Sequence, residues 1–283
     1  MKIWAHTLVK NEERFIWYSV LSVISHVDKV LIWDTGSTDK TLRIDGKIKE
    51  LYPSRVELKE VGEVDIDEFT KIRQQMLGRT KSDWLIVVDG DEIWWEESIK
   101  KVVQVVRGSS SRAGKRIESV VVPMYNLVGD IYHYQEKVAG RYKLAGREGH
   151  YALRAINRKI PGLKSEKPHG TWGWTDKEGK MIQDRNSKKI RFVDAPYLHA
   201  SFLKRSSSRE KDDEVPKRRR KLKYEVGIPL QPDFYYPEVF FRPRPKIVPS
   251  PWDKMDKAFY LRALVQSPPK RVKRRLWKKG VGY

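Results

Sequence analysis

At 283 residues the chain can form one large domain or two small ones around a substantial core. It has no cysteine, so disulfide partners, thiol catalysis and thiolate metal sites are excluded, and any metal must sit on carboxylate, His or water, which favours Mg²⁺ or Mn²⁺. The net charge of +21 is uneven: residues 1–136 carry 20 Lys and Arg against 22 Asp and Glu, whereas residues 137–283 carry 38 against 15. Such asymmetry says that something anionic meets the second half. No apolar run approaches the roughly 18 residues of a membrane span. The opening MKIWAHTLVK runs into NEER without a signal-peptide core, so the expected location is the cytoplasm.

In chain order, KIWAHTLV reads as a short buried strand, and KNEERFIWYSVLSVISHV has helical spacing, with Phe15, Ser19 or Val20, Val23 and Val27 near one face. DKVLIWD is a second strand ending on Asp34. A Gly-containing turn follows, where Ser37, Thr38 or Asp39 can cap a helix with Leu42, Ile44 and Ile48 on its apolar side. RVELKEV is a third strand, DEFTKIRQQMLGRT a helix, and DWLIVVDGD a fourth strand. This alternation argues a mostly parallel sheet with crossover helices. SVVVPMYNLV and GHYALRAINRK read as later strands, PHGTWGWTDKEGK as turns, and DAPYLHASFLKRSSSREKDDEVPKRRRKLKYEVG as a strand end at His199 with a charged helix or loop. From Ile228 the chain is dense in Pro and aromatics, which favours an extended wrap. A short helix near DKAFYLRALVQ then precedes a basic tail.

Ligands of such sheets bind beyond the carboxyl ends of the strands. The segments TLVKNEE, WDTGSTD and VDGDE all fall there, and the last crowds Asp89, Asp91 and Glu92 at a buried strand end. Uncompensated, that charge is unfavourable. The plain alternative is a turn and an acidic first helical turn. Asp89-Gly90-Asp91 can instead hold a divalent ion that also grips a diphosphate and neutralises charge on the leaving group.

Read together, LVKNEE, DTGSTDKT, FTKIRQQ and DWLIVVDGDE resemble the family 2 glycosyltransferases with a GT-A fold, nearest the branch of lipopolysaccharide-core and envelope-glycan enzymes. The resemblance covers about the first third and extends weakly through GHYALRAINRK, KPHGTW and YLHASFLKR. It implies an α/β, Rossmann-like, mostly parallel sheet with helices on both faces and a basic, less regular C-terminal extension. The nucleotide-sugar part would span residues 1–136, the acceptor side 137–227 and the extension 228–283.

The resemblance further implies that Thr7, Val9, Lys10, Asn11, Glu12 and Glu13 line the nucleotide pocket. Asp34 and Thr35, with the turn Gly36, Ser37 and Asp39, would hold the base or ribose of a donor expected to be UDP-linked. Arg73 would approach the diphosphate with its planar fork. Asp91 would be the direct metal ligand, Asp89 and Gly90 would lie nearer the ribose or the ion, and His199 would be a further ligand. Plainer readings are a capped helix start at Lys10 to Glu13 and a satisfied strand-end His199. An inverting transferase needs a general base; Glu148 is the choice, with His150 and Asp130 as rivals. After His169 the acid of the family's pattern is replaced by Gly.

Two basic clusters, PKRRRKLK and KRVKRRLWKK, read as solvated charge runs, as contacts to an anionic membrane surface carrying a lipid-linked or envelope glycan acceptor, or as contacts to DNA whose hydroxylated base is the acceptor. A non-catalytic binding protein on a decayed transferase fold is the reading from another class. The missing acid after His169 favours it, while Asp34, Arg73, Asp89 and Asp91 argue against it.

Overall fold

The structure is a computed structural model that describes residues 1–109, 117–167, 173–215 and 218–276, without the side chains of 66, 67, 167, 219 and 220. His169, residues 216 and 217 at the start of the first basic cluster, and residues 277–283, which include the end of the second, lie outside the described residues.

The first half alternates strand and helix: β1 (Ile3–Val9), α1 (Ile16–Val23), β2 (Lys29–Asp34), α2 (Thr41–Leu51), β3 (Val56–Glu60), α3 (Ile66–Arg79), β4 (Trp84–Val87), β5 (Glu92–Trp94) and α4 (Glu96–Gly108). β4, β1, β2 and β3 lie side by side and parallel. β1, β2 and β4 are apolar on both faces because helices cover both, so they read as continuous hydrophobic runs. α4 buries Ile99, Val102, Val103 and Val106, one stripe at helical spacing, and turns Lys100 and Lys101 outward. α1 differs from the expected one-sided helix: all eight of its residues are buried.

Beyond the parallel strands come β6 (Ser119–Val128), β7 (Asp130–Tyr134), the hairpin β8 (Tyr142–Leu144) and β9 (Arg147–Gly149), and β10 (Tyr151–Asn157). β10 joins the two halves of the sheet, antiparallel to both β4 and β6. β11 (Lys164–Lys167) and β12 (Gly173–Thr175) form a separate hairpin, the latter inside the segment expected to be turns. β13 (Ile190–Phe192) and β14 (Tyr197–Phe202) run parallel to β6, and β14 also pairs with β5, which ties the segment after the acidic motif to the second half.

The charged stretch after β14 forms two short helices, α5 (Arg209–Asp213) and α6 (Arg218–Lys221), followed by β15 (Ile228–Pro229). Residues from Phe234 to Trp252 then wrap over the core, where Val239, Phe240 and Val248 are buried and Phe234, Tyr236 and Trp252 pack ring against ring. The last helix, α7 (Lys257–Leu276), is longer than expected and continues through Pro268 and Pro269. Two prolines remove two helical N–H donors. The carbonyls left without them belong to Leu264 and Val265, both exposed residues.

Candidate active site

Three strand ends meet at one rim. After β1 the chain turns through Asn11, a non-glycine residue at φ 53°, a conformation Asn tolerates better than most. Its backbone N–H donates to Ser37 Oγ at 2.9 Å, and its side-chain oxygen accepts from Thr38 N at 2.8 Å. Glu12 N donates to Thr41 Oγ1 at 2.7 Å, and Glu13 accepts from Lys40 N at 3.0 Å. Thr35 donates twice to the Val9 carbonyl, from its N–H at 2.9 Å and its hydroxyl at 2.8 Å. Lys10 reaches outward to Glu63 at 3.2 Å. The loop after β1 and the loop after β2 are therefore one hydrogen-bonded unit.

Asp34 closes its own turn, with Oδ1 accepting from Gly36 N at 3.0 Å and Ser37 N at 2.8 Å. Its other oxygen is buried with no hydrogen-bond partner, as is Thr7 Oγ1. Gly36 has φ 81°, and a Cβ there would lie 2.9 Å from the Glu63 backbone. Asp39 accepts from Thr41 N at 2.9 Å and from Ser206 Oγ at 2.7 Å, so the second loop also touches the second half of the chain.

The turn after β4 approaches the Glu12 loop so closely that a Cβ on Gly90 would stand 2.9 Å from Glu12 Cγ, which explains glycine between the two aspartates. Asp91 is 2% exposed. Its Oδ2 accepts from Arg205 Nη1 at 2.6 Å and faces His199 Nε2 at 3.6 Å. Burial by itself would raise the Asp91 carboxyl, but Arg205, His199, Lys221 and Arg218 outweigh it and hold the group below its ordinary range. Asp89 is partly exposed and lies 3.4 Å from Arg154, which also pairs with the fully buried Glu92. Burial pushes Glu92 well up in spite of that arginine. Arg73, on α3, is buried over the Trp174 ring at 4.7 Å, and burial lowers its guanidinium to about 10.

A chain of side chains sets the His199 tautomer. The Glu136 carbonyl can only accept, so His150 Nε2 donates to it at 3.0 Å and leaves Nδ1 to accept from Asn126 Nδ2 at 2.8 Å. Asn126 Oδ1 then accepts from His199 Nδ1–H at 2.9 Å. Burial lowers His199 to about 4, so at neutral pH its Nε2 presents a lone pair to a carboxylate oxygen. That nitrogen lies 3.6 Å from the Asp91 oxygen that Arg205 also binds. Asp91 and His199 thus fit a hard divalent ion, with Asn126 orienting the imidazole as outer partners of ligating histidines do. Among the described residues no group of three His, Asp or Glu is gathered for a metal, because Asp89 turns to Arg154.

The expected catalytic residues are dispersed. Glu148 is on the exposed β8–β9 hairpin with Lys143 at 3.8 Å. His150 has both ring nitrogens engaged. Asp130 accepts from His133 Nδ1 at 2.6 Å and lines a cavity of about 480 Å³ that Arg14, Asp212, Arg218, Phe259 and Arg262 also border.

Three arginines that motif reading passed over complete the site. Arg205 bridges Asp91 and Glu12, the latter at 2.9 Å. Arg218 donates to Glu12 at 2.5 Å, to the Lys10 carbonyl at 2.8 Å and to the Asn11 carbonyl, and so clamps the loop after β1. Burial pushes the Glu12 carboxyl up against these two cations. A lone Arg inside the apolar ALRAIN strand was a usable signal for Arg154; Arg218 lay hidden in a run of basic residues.

Residues 6–113 match the model of the family described as Glycosyl transferase family 2. The match takes in the parallel strands and the acidic strand end of this α/β fold. Among solved structures, the chain is similar to S. aureus TarS 1-349 (16% identity, 71% of this chain and 61% of that one, TM-score 0.44). It is also similar to the mannosyltransferase PcManGT from Pyrobaculum calidifontis in complex with GDP-Man and Mn²⁺ (14% identity, 71% and 57%, TM-score 0.44). A third is glucosyl-3-phosphoglycerate synthase from Mycobacterium tuberculosis in complex with Mn²⁺ and UDP-Glc (18% identity, 70% and 71%, TM-score 0.39). The chain spans about three fifths of the length of the first two. No curated protein sequence matches it closely enough to count as a relative.

Proposed function

We propose that the protein transfers a sugar from a nucleotide-sugar, UDP-linked as the family resemblance implies, to an acceptor hydroxyl with inversion. The observation that carries this reading is the joining of three strand-end loops into one rim around a buried carboxylate that faces an acceptor nitrogen. The unpartnered oxygen of Asp34 would accept from a ribose hydroxyl or a base N–H. Arg73 contributes a planar donor fork for phosphate oxygens. Asp91 and His199 would hold a divalent ion, which when bound supplies positive charge for the leaving diphosphate. Asp130 lines the cavity with Oδ1 accepting from Tyr132 N and His133 Nδ1 and Oδ2 from Met255 N, and is the carboxylate we carry forward as the base for the acceptor hydroxyl. We infer an acceptor that is a lipid-linked or envelope glycan.

The test is release of nucleoside diphosphate from a panel of nucleotide-sugars with Mn²⁺ present. Slow release from one donor, abolished in Asp91→Asn and Asp34→Asn, is the expected result. Release from none, or equal release in both variants, would contradict the proposal.

A further inference from the structure

α7 contains seven Lys and Arg and no Asp or Glu. Its inner face is fixed on the body of the protein. Ala263 and Ser267 are buried, Ser267 Oγ accepts from Val226 N at 2.7 Å, and Lys270 donates to the Tyr224 carbonyl at 2.7 Å. Arg274 pairs with Glu225 at 2.5 Å and Glu136 at 3.1 Å. At about 100° per residue, the face directly opposite carries Leu261, Val265, Pro268, Val272 and Leu276, spaced four, three, four and four apart. These are not sheltered: Leu261 is 64% exposed, Val265 77%, Val272 54% and Leu276 69%. A helix packed on a globular body normally turns its charged residues to that side. Here the outward stripe is apolar, and the charges flank it, Arg262 and Lys273 on one edge and Lys257 and Arg275 on the other.

We propose that this face of α7 docks on an anionic lipid surface, the stripe entering the headgroup boundary while the flanking cations meet phosphate. Charge complementarity selects this occupant. A second copy of the same face would set cations against cations with no acid on the helix to relieve them. Nucleic acid would satisfy the cations but leave the stripe against phosphates. An apolar stripe edged by Lys and Arg is the composition of helices that lie in a membrane interface. No helix among the described residues is long and apolar enough to cross one. The start of α7, through Phe259 and Arg262, also walls the cavity that holds Asp130 and Arg218. Docking would bring that cavity to the lipid surface, where a lipid-linked acceptor presents its hydroxyl; this consequence rests on the glycosyl-transfer reading, whereas the surface itself stands on α7.

The experiment is flotation of the full chain with phosphatidylcholine vesicles, with and without phosphatidylglycerol, beside a duplex-DNA titration and a sedimentation measurement of oligomeric state. Binding should require phosphatidylglycerol and weaken with salt. Combined Leu261→Asn, Val265→Asn and Val272→Asn should weaken vesicle binding tenfold or more, on the order of the transfer energy of three partly exposed side chains. Lys273→Gln and Arg275→Gln should each weaken it about fivefold. Melting temperature and nucleoside diphosphate binding, read on the same samples, should not change. Vesicle binding unaltered in the triple variant, duplex DNA bound in place of vesicles, or a dimer dissolved by the triple variant would each overturn the proposal. Loss of nucleotide binding alone, with vesicle binding intact, would remove the donor-site reading and leave this surface standing.

Discussion

Replacing Arg205 with Met tests how the site balances its charge. Arg205 is buried, donates to Asp91 at 2.6 Å and approaches Glu12 at 2.9 Å, so its loss strands two buried carboxylates at once. Removing one partner of a buried ion pair costs about 3–5 kcal/mol. For a chain of this size, each kcal/mol corresponds to roughly 2–4 °C, which gives a fall in Tm of about 6–20 °C. Asp91 Oδ2 would then lack its guanidinium partner beside His199, so a divalent ion should stabilise the variant more than the parent. At a concentration a hundred times its Kd the ion restores about 2.7 kcal/mol. Differential scanning fluorimetry of parent and variant, each with and without Mn²⁺ and a nucleoside diphosphate, reads both effects. A variant within about 1 kcal/mol of the parent without ion, or an ion-induced shift no larger than the parent's, would refute the reasoning.

Asn126→Leu should leave the ring nitrogens of His150 and His199 without their partner and lower divalent-ion affinity about 10–100-fold, the usual effect of losing an outer partner of a ligating histidine. Unchanged affinity by calorimetry would dissociate Asn126 from the site. Asp45 is buried without hydrogen-bond partners, and burial, then Asp34 and Asp39, raises its carboxyl well above the usual range. The native state therefore binds more protons than the unfolded one from about pH 4 upward, and this group's contribution to stability falls as pH rises through that window. Asp45→Asn should abolish that slope and raise the Tm at pH 7 more than at pH 4; equal shifts at both values would count against it.

Much of the first half was legible because its physics is local. Apolar runs such as KVLIWD and WLIV specify buried parallel strands, and each ends in the polar segment that the parallel sheet carries to the same rim. The neighbourhood of Asp91 was less so, because its cations come from far along the chain. Arg205 and Arg218 sit in FLKRSSS and KRRR, runs whose composition reads as solvated charge, yet both are buried. Only the pairing of β14 with β5 and β6 brings them to the rim. The base expectations fell on residues scattered over a hairpin, a hydrogen-bonded relay and a cavity wall, since strand motifs do not encode which side chains the second half turns inward. The sequence shortens helix α7 at Pro268 because the donor rule ignores where the freed carbonyls lie; here they belong to the exposed Leu264 and Val265.

The central claim is that the rim around Asp34 and Asp91 is a nucleotide-sugar site, and calorimetric titration of nucleoside diphosphates with Mn²⁺ tests it most directly. The account predicts binding of one diphosphate by the parent protein. In Asp91→Asn that binding should weaken at least tenfold, about 1.4 kcal/mol, with the fold retained. Binding by neither protein, or equal binding by both, would contradict it.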